Sequence, residues 1–291
     1  MLGEETYSEV YTAIADLDDG TYALLQLLFT NAGLGDGKAT CRALVVEKGD
    51  KGINHFVDMD RDEWSYDPTG DALSAGPCVL EKSQTGIAFH AVINGMSLRI
   101  GFDGSPRVRK PPHSRIVDGS SFHQTEIFLP WASVTATWQL PGKAQKTSVG
   151  MGYLDHVRSN MLVKHTAKQW IRFRGYQGGD PVLLQLRYLP KGGIEGWVWR
   201  RGQPAAVSVD PASVQTRVSS EGLEVIVSDG AGQFTLRSGS TLFRYRPVEQ
   251  HPYGKFMKPV LGNPETITYR SSADFGEGGE LRGTMEVSSF D

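Results

Sequence analysis

The chain has 291 residues, 39% hydrophobic and 22% charged, the balance of an ordinary soluble protein with core enough for two domains. Its formal net charge of −3 gives no electrostatic footprint for nucleic acid or for an acidic membrane surface. No stretch approaches the ~20 apolar residues of a membrane span, and the acidic residues 1–19 lack the basic start and apolar run of a signal peptide; a cytoplasmic protein with no transmembrane segment is therefore expected.

In chain order, strand patterning dominates. Short helices are expected only near residues 8–15 or 210–215. Asp19-Gly20 turns the chain into residues 21–30, which are almost continuously apolar and so read as a strand buried on both faces. Residues 39–47 read as its partner. Between them, Gly33-Leu34-Gly35-Asp36-Gly37 is a turn rather than a phosphate loop, because no helix follows it. Asp58, Asp60, Asp62 and Glu63 form an acidic cluster without the central glycine and spaced glutamate of a calcium loop, and read as solvated.

The clearest local signal is Asn94-Gly95. It joins Ile87, Phe89, Ala91 and Ile93, alternating along one strand, to Met96, Leu98, Ile100 and Phe102 along the next, and so predicts a β-hairpin. Arg107, Arg109 and Lys110, followed by two prolines, read as a solvated basic loop. Val134, Ala136, Trp138 and Leu140 alternate up to Pro141-Gly142. In the second half, strands are predicted at residues 182–189, 196–200, 223–227, 233–236, 242–246, 266–270 and 281–287, with turns at Gly192-Gly193 and Asp229-Gly230. The strand count supports two antiparallel β domains, residues 1–163 and 164–291, each the size of a small barrel or sandwich.

Cys41 and Cys78 have neither C-x-x-C spacing nor a histidine pattern, which speaks against zinc. One disulfide is compatible with the sequence, but free thiols are the default for a cytoplasmic chain. No G-x-S-x-G, H-E-x-x-H, phosphate loop or dinucleotide fingerprint occurs. Lone histidines such as His90, His123 and His165 read as surface or satisfied core residues. Trp131, Trp138, Trp170, Phe173, Trp197, Trp199, Phe243 and Tyr245 read mostly as core. A subset lining a barrel would suit a flat, apolar, polyene-like or fused-ring ligand.

The densest chemistry lies in Gly150-Met151-Gly152-Tyr153-Leu154-Asp155-His156. On a strand, Tyr153 and Asp155 share one face, and Leu154 and His156 the other. An aspartate facing an apolar cavity is desolvated, which favours its protonated form. Such an acid can protonate an alkene or carbonyl, with Tyr153 donating a hydrogen bond or sharing the proton, and needs no metal or nucleotide. The same residues also suit a structural role, with Asp155 and His156 bonded to backbone at a domain junction.

Over most of its length the sequence resembles the lipocalin-like family of carotenoid 1,2-hydratase (hydroxyneurosporene synthase) and the AttH-type proteins. The resemblance rests on Asp18-Asp19-Gly20-Thr21, Leu129-Pro130-Trp131-Ala132-Ser133, Trp138, the Gly-x-Gly-Tyr-x-Asp-His run, Gln169-Trp170-Ile171-Arg172-Phe173 and residues 283–286. Fungal survival-factor proteins and decalin-forming cyclases are more distant likenesses.

The resemblance implies an all-β fold of two tandem lipocalin-like barrels, with a ligand pocket within or between them. It implies hydration, cyclisation or isomerisation of an isoprenoid, polyene or polyketide-like molecule with no redox cofactor, or carriage of a lipid or pigment. It maps acid catalysis onto Tyr153 and Asp155, and it makes His156, Trp131, Phe128, Glu126, Trp138 and Trp170 candidate ligand contacts. Peripheral membrane contact is one route by which such a substrate would arrive. The hydratases carry an upstream His-x-Trp. Here Glu126-Ile127-Phe128 stands in its place, a departure that argues against carotenoid hydration.

Overall fold

The computed structural model describes residues 6–31, 36–67, 72–82, 85–220, 222–229, 232–250, 263–276 and 279–290. The chain forms two antiparallel sheets and divides into two compact units. One comprises Met1–Lys110 and Val117–Met161, the other Pro111–Ile116 and Leu162–Asp291.

The strands of the first sheet are β1 (Ser8–Leu17), β2 (Tyr22–Thr30), β3 (Lys38–Val46), β4 (Ile53–Met59), β5 (Trp64–Tyr66), β6 (Ala72–Ala75), β7 (Cys78–Lys82), β8 (Gly86–Ile93), β9 (Met96–Asp103), β10 (Arg115–Asp118), β11 (Ser121–Gln139) and β12 (Lys146–Ser159). They run in the order β4-β3-β2-β1-β12-β11-β9-β8-β7-β6-β5, with β10 paired to β11 off this path. The sheet curls until β3 meets β6 and β8 and β4 meets β8, giving a nearly closed barrel.

Period-2 geometry decides what fills it. Ala13, Ala15 and Leu17 of β1 point inward, as do Ala23, Leu25, Leu27 and Phe29 of β2, against Phe89, Phe102, Trp138 and Leu154. Alanines opposite large rings let a small barrel close without a void. The hairpin at Asn94-Gly95 forms as its sequence predicts: both residues have positive φ, 50° and 78°, which a two-residue turn of the right twist requires.

Two expectations are corrected. Residues 8–15 are not helical. They lie in β1, paired with β2 on one side and β12 on the other. β1 sits mid-sheet with both faces covered over its second half, so it lacks the polar alternation that marks a strand. At the other predicted place a single 3₁₀ turn, Pro211–Ser213, forms, with Asp210 accepting a hydrogen bond from the Ala212 N–H at 3.0 Å.

The cysteines are not free thiols. Cys41 of β3 is bonded to Cys78 of β7. These strands lie far apart along the sheet path, so the bond spans the barrel interior, and both residues are fully buried in its core. The bond therefore staples the curl of the sheet.

The second sheet comprises β13 (Gln169–Gln177), β14 (Val182–Tyr188), β15 (Ile194–Arg200), β16 (Val207–Ser208), β17 (Gln215–Ser219), β18 (Gly222–Asp229), β19 (Gly232–Tyr245), β20 (Glu265–Asp274) and β21 (Glu280–Ser289). Its order is β16-β15-β14-β13-β21-β20-β19-β18-β17, a half-barrel. Phe173, Leu184, Leu186, Phe234, Leu236 and Met285 are among its core residues. Of the Gly33–Gly37 turn, residues 33–35 lie outside the described residues.

Candidate functional site

Strand β12 lies mid-sheet between β1 and β11. Its glycines let it pack there. A Cβ on Gly150 would stand 2.3 Å from the Asp16 carbonyl oxygen. One on Gly152 would meet Val134 at 2.4 Å and Phe102 at 2.8 Å. Only glycine fits either place. Beside them β11 bulges between Ile127 and Ala132, where Pro130 has no N–H to offer the ladder.

Leu154 belongs to the barrel core, so its face of β12 is the inner one and carries His156 too. Tyr153 and Asp155 turn to the outer face. That face is also buried: Tyr153 is 4% exposed and Asp155 7%, with Ile14 and Ile127, their ladder neighbours, fully covered. The Tyr153 hydroxyl donates a hydrogen bond to Asp155 Oδ2 at 2.9 Å.

The ladder places Thr12 opposite Asp155, Gln26 opposite Thr12 and Arg42 opposite Gln26. Beside the acid pair, the side chains of Thr12, Gln26, Arg42 and Asn54 form a hydrogen-bonded row. Gln26 donates to Thr12 Oγ1 at 3.3 Å, and Arg42 donates to Gln26 Oε1 at 3.0 Å and to Asn54 Oδ1 at 2.9 Å. Burying this many polar groups is costly unless they are bonded. The row is therefore held in place, with the phenol and carboxyl group in register with its Thr12 end and the Arg42 guanidinium at the other. Thr12, Gln26 and Arg42 escape a reading of the sequence because each is flanked by apolar residues, and only strand register aligns them.

On the inner face, His156 stacks on Tyr11, with ring centroids 4.1 Å apart and an interplanar angle of 8°. Phe128 is tilted against both. Glu126, opposite His156 in the ladder, accepts from Gln124 Nε2 at 2.7 Å and pairs with Lys110 at 3.2 Å and Arg158 at 3.3 Å. Of the candidate contacts, then, His156, Phe128 and Glu126 gather on the side of β12 away from Tyr153 and Asp155.

Trp131 sits half-buried in the bulged part of β11. Trp138 lies at the other end of the β11–β12 ladder from the Glu126–His156 pair. There its indole donates to Glu47 Oε1 at 2.9 Å, and Lys143 and Lys146 hold the same carboxylate. The Lys146 and Trp138 hydrogen bonds, opposed by desolvation, lower the Glu47 pKa to about 2. Trp170 belongs to the second unit, buried, with the Arg172 guanidinium 4.8 Å from its ring.

Among the described residues, no group of three or more His, Cys, Asp or Glu is arranged to hold a metal ion, and no helix is long and apolar enough to cross a membrane.

No family model and no curated protein matches the sequence. Solved structures do share its fold. A protein provisionally assigned as AttH from Nitrosomonas europaea superposes with a TM-score of 0.64 at 11% identity, covering 98% of this chain and 92% of that one. Kievitone hydratase from Nectria haematococca gives 0.59 at 11% identity, covering 97% and 88%. CghA gives 0.61 at 10% identity, covering 100% and 93%. The chain has the fold of AttH-like proteins. At such identities the likeness speaks for architecture and not for any residue's role.

Proposed function

We propose that this chain, which shares its fold with a hydratase, converts a hydrophobic small molecule by acid catalysis without a redox cofactor. The substrate class is isoprenoid, polyene or polyketide-like, and the reaction is hydration, cyclisation or double-bond isomerisation. The observation that carries this reading is the buried Tyr153–Asp155 hydrogen bond, flanked in the ladder by the fully buried Ile14 and Ile127.

In the proposed step, protonated Asp155 gives its proton to an alkene carbon or a carbonyl oxygen of the substrate. The Tyr153 hydroxyl, donating to Oδ2, stabilises the carboxylate left behind and so strengthens the acid. In a hydration, water adds to the cation and its surplus proton returns to Asp155. In an isomerisation or cyclisation, the proton returns from a neighbouring carbon. Atoms and charge balance in each case with no partner but water.

The test is conversion by purified protein of apolar metabolites extracted from the source cells, followed by liquid chromatography and mass spectrometry. The expected product differs from its substrate by one water or not at all in mass. A product differing by hydrogen, by oxygen or by a transferred group would contradict the reading.

A further inference from the structure

The first unit also holds a cavity of about 280 Å³. Leu73, Leu80, Ile87 and Phe128 line it with carbon, and two phenols reach it, the half-buried Tyr11 and the exposed Tyr66. Tyr11 stacks on His156, so the cavity lies on the inner side of β12, opposite to Tyr153 and Asp155. The cavity and the acid pair are two places.

The wall behind Tyr11 is more elaborate than barrel packing needs. His156 Nε2 lies 3.4 Å from Glu9 Oε2, and Glu9 Oε1 accepts a 2.5 Å hydrogen bond from the Tyr7 hydroxyl. Phe128 closes the other side, 6.5 Å from the Tyr11 ring and 5.8 Å from His156. Tyr7, Glu9, His156 and Phe128 thus fix the Tyr11 ring in one orientation.

Tyr11 itself is half-buried, and among the described residues its hydroxyl has no hydrogen-bond partner. Burial, then the charge of Glu9, holds its pKa above the ordinary tyrosine value, so it stays a neutral donor. Burial pushes the Glu9 carboxyl up, but the His156 and Tyr7 hydrogen bonds outweigh it and keep Glu9 ionised. A fixed donor in a carbon-lined cavity asks for one acceptor on the ligand. Of the charges that act on Tyr11, Glu9 is the largest and disfavours an anion there, with Arg158 and Glu126 acting in opposite senses behind it. The exposed Lys82 on the lining, with the Arg158 charge, would favour one.

We propose that this cavity is a binding site for an uncharged, largely hydrocarbon molecule bearing one carbonyl oxygen, held by a hydrogen bond donated by Tyr11. The site goes beyond the catalytic reading and does not depend on it.

The experiment is calorimetric titration of the full chain with acetonaphthone, its hydrocarbon counterpart ethylnaphthalene, and naphthoate. Acetonaphthone is expected to bind tightest. Tyr11→Phe, which keeps the stacked ring, should weaken acetonaphthone about tenfold, the effect of one hydrogen bond, and leave ethylnaphthalene unchanged. Asp155→Asn should leave all three affinities unchanged, and Leu80→Trp, which fills the cavity, should lower them all. The proposal is overturned if none of the probes binds, if Tyr11→Phe binds acetonaphthone like the parent, or if naphthoate binds best. If Asp155→Asn rather than Tyr11→Phe loses acetonaphthone, the ligand sits at the acid pair instead.

Discussion

Breaking the Cys41–Cys78 bond should cost the first unit about 4 kcal/mol. The cysteines are 37 residues apart in sequence. Closing a loop of that length removes about 13 cal/mol/K of chain entropy from the unfolded state, or about 4 kcal/mol at 25 °C. Little native strain should offset it, because both side chains sit in the barrel core between strands the fold already holds in place. Guanidinium unfolding would be compared for the oxidised protein, the protein in reductant, and the double variant Cys41→Ala/Cys78→Ala. The last two should unfold together, well before the first. In a unit of this size the melting temperature should fall by roughly 8–16 °C. Two titratable thiols in the native, untreated protein, or indistinguishable unfolding with and without reductant, would refute the reasoning.

Three further outcomes are expected. Gly152→Ala should lower stability by about 1–3 kcal/mol through overpacking against Val134 and Phe102, read from its thermal melt; an unchanged melt would remove the steric account of that glycine. Glu47 has a folded-state pKa of about 2 against an ordinary 4.5, so its contribution to stability is present above pH 4.5 and lost as the pH falls toward 2. Glu47→Gln should therefore flatten the stability profile over that acid range and nowhere else, as followed by denaturant titration at several pH values. Tyr153→Phe and Asp155→Ala, combined in a double-mutant cycle, should show a coupling of about 1–2 kcal/mol in folding stability; additivity would mean that their hydrogen bond contributes nothing.

Much of the architecture is legible in the sequence because strand and turn chemistry are local. Asn94-Gly95 names its own hairpin, and alternation places Tyr153 with Asp155. What is not legible is non-local. β1 reads as helix because burial on both faces erases its alternation. Cys41 and Cys78 meet only when the sheet curls, which no spacing announces. Whether Tyr153 or His156 faces the barrel depends on which side closes. A hint lay in Gly150, Gly152 and Leu154: small or apolar residues on the His156 side, where the core crowds in. The row from Thr12 to Arg42 exists only through register across three strands, and the Tyr11–His156 stack through a pairing of β1 with β12 more than 140 residues apart, as in Glu9 and His156 at a separation of 147.

The most direct test of the acid-catalysis proposal compares turnover by the parent chain and by Asp155→Asn on a substrate found by metabolite profiling. Asparagine keeps the shape and accepts from Tyr153 but has no acidic proton to give. Turnover is expected to fall by a factor of 10²–10⁴, the usual contribution of a positioned acid, with the thermal melt showing a folded protein. Parental turnover in the folded Asp155→Asn variant would contradict the account.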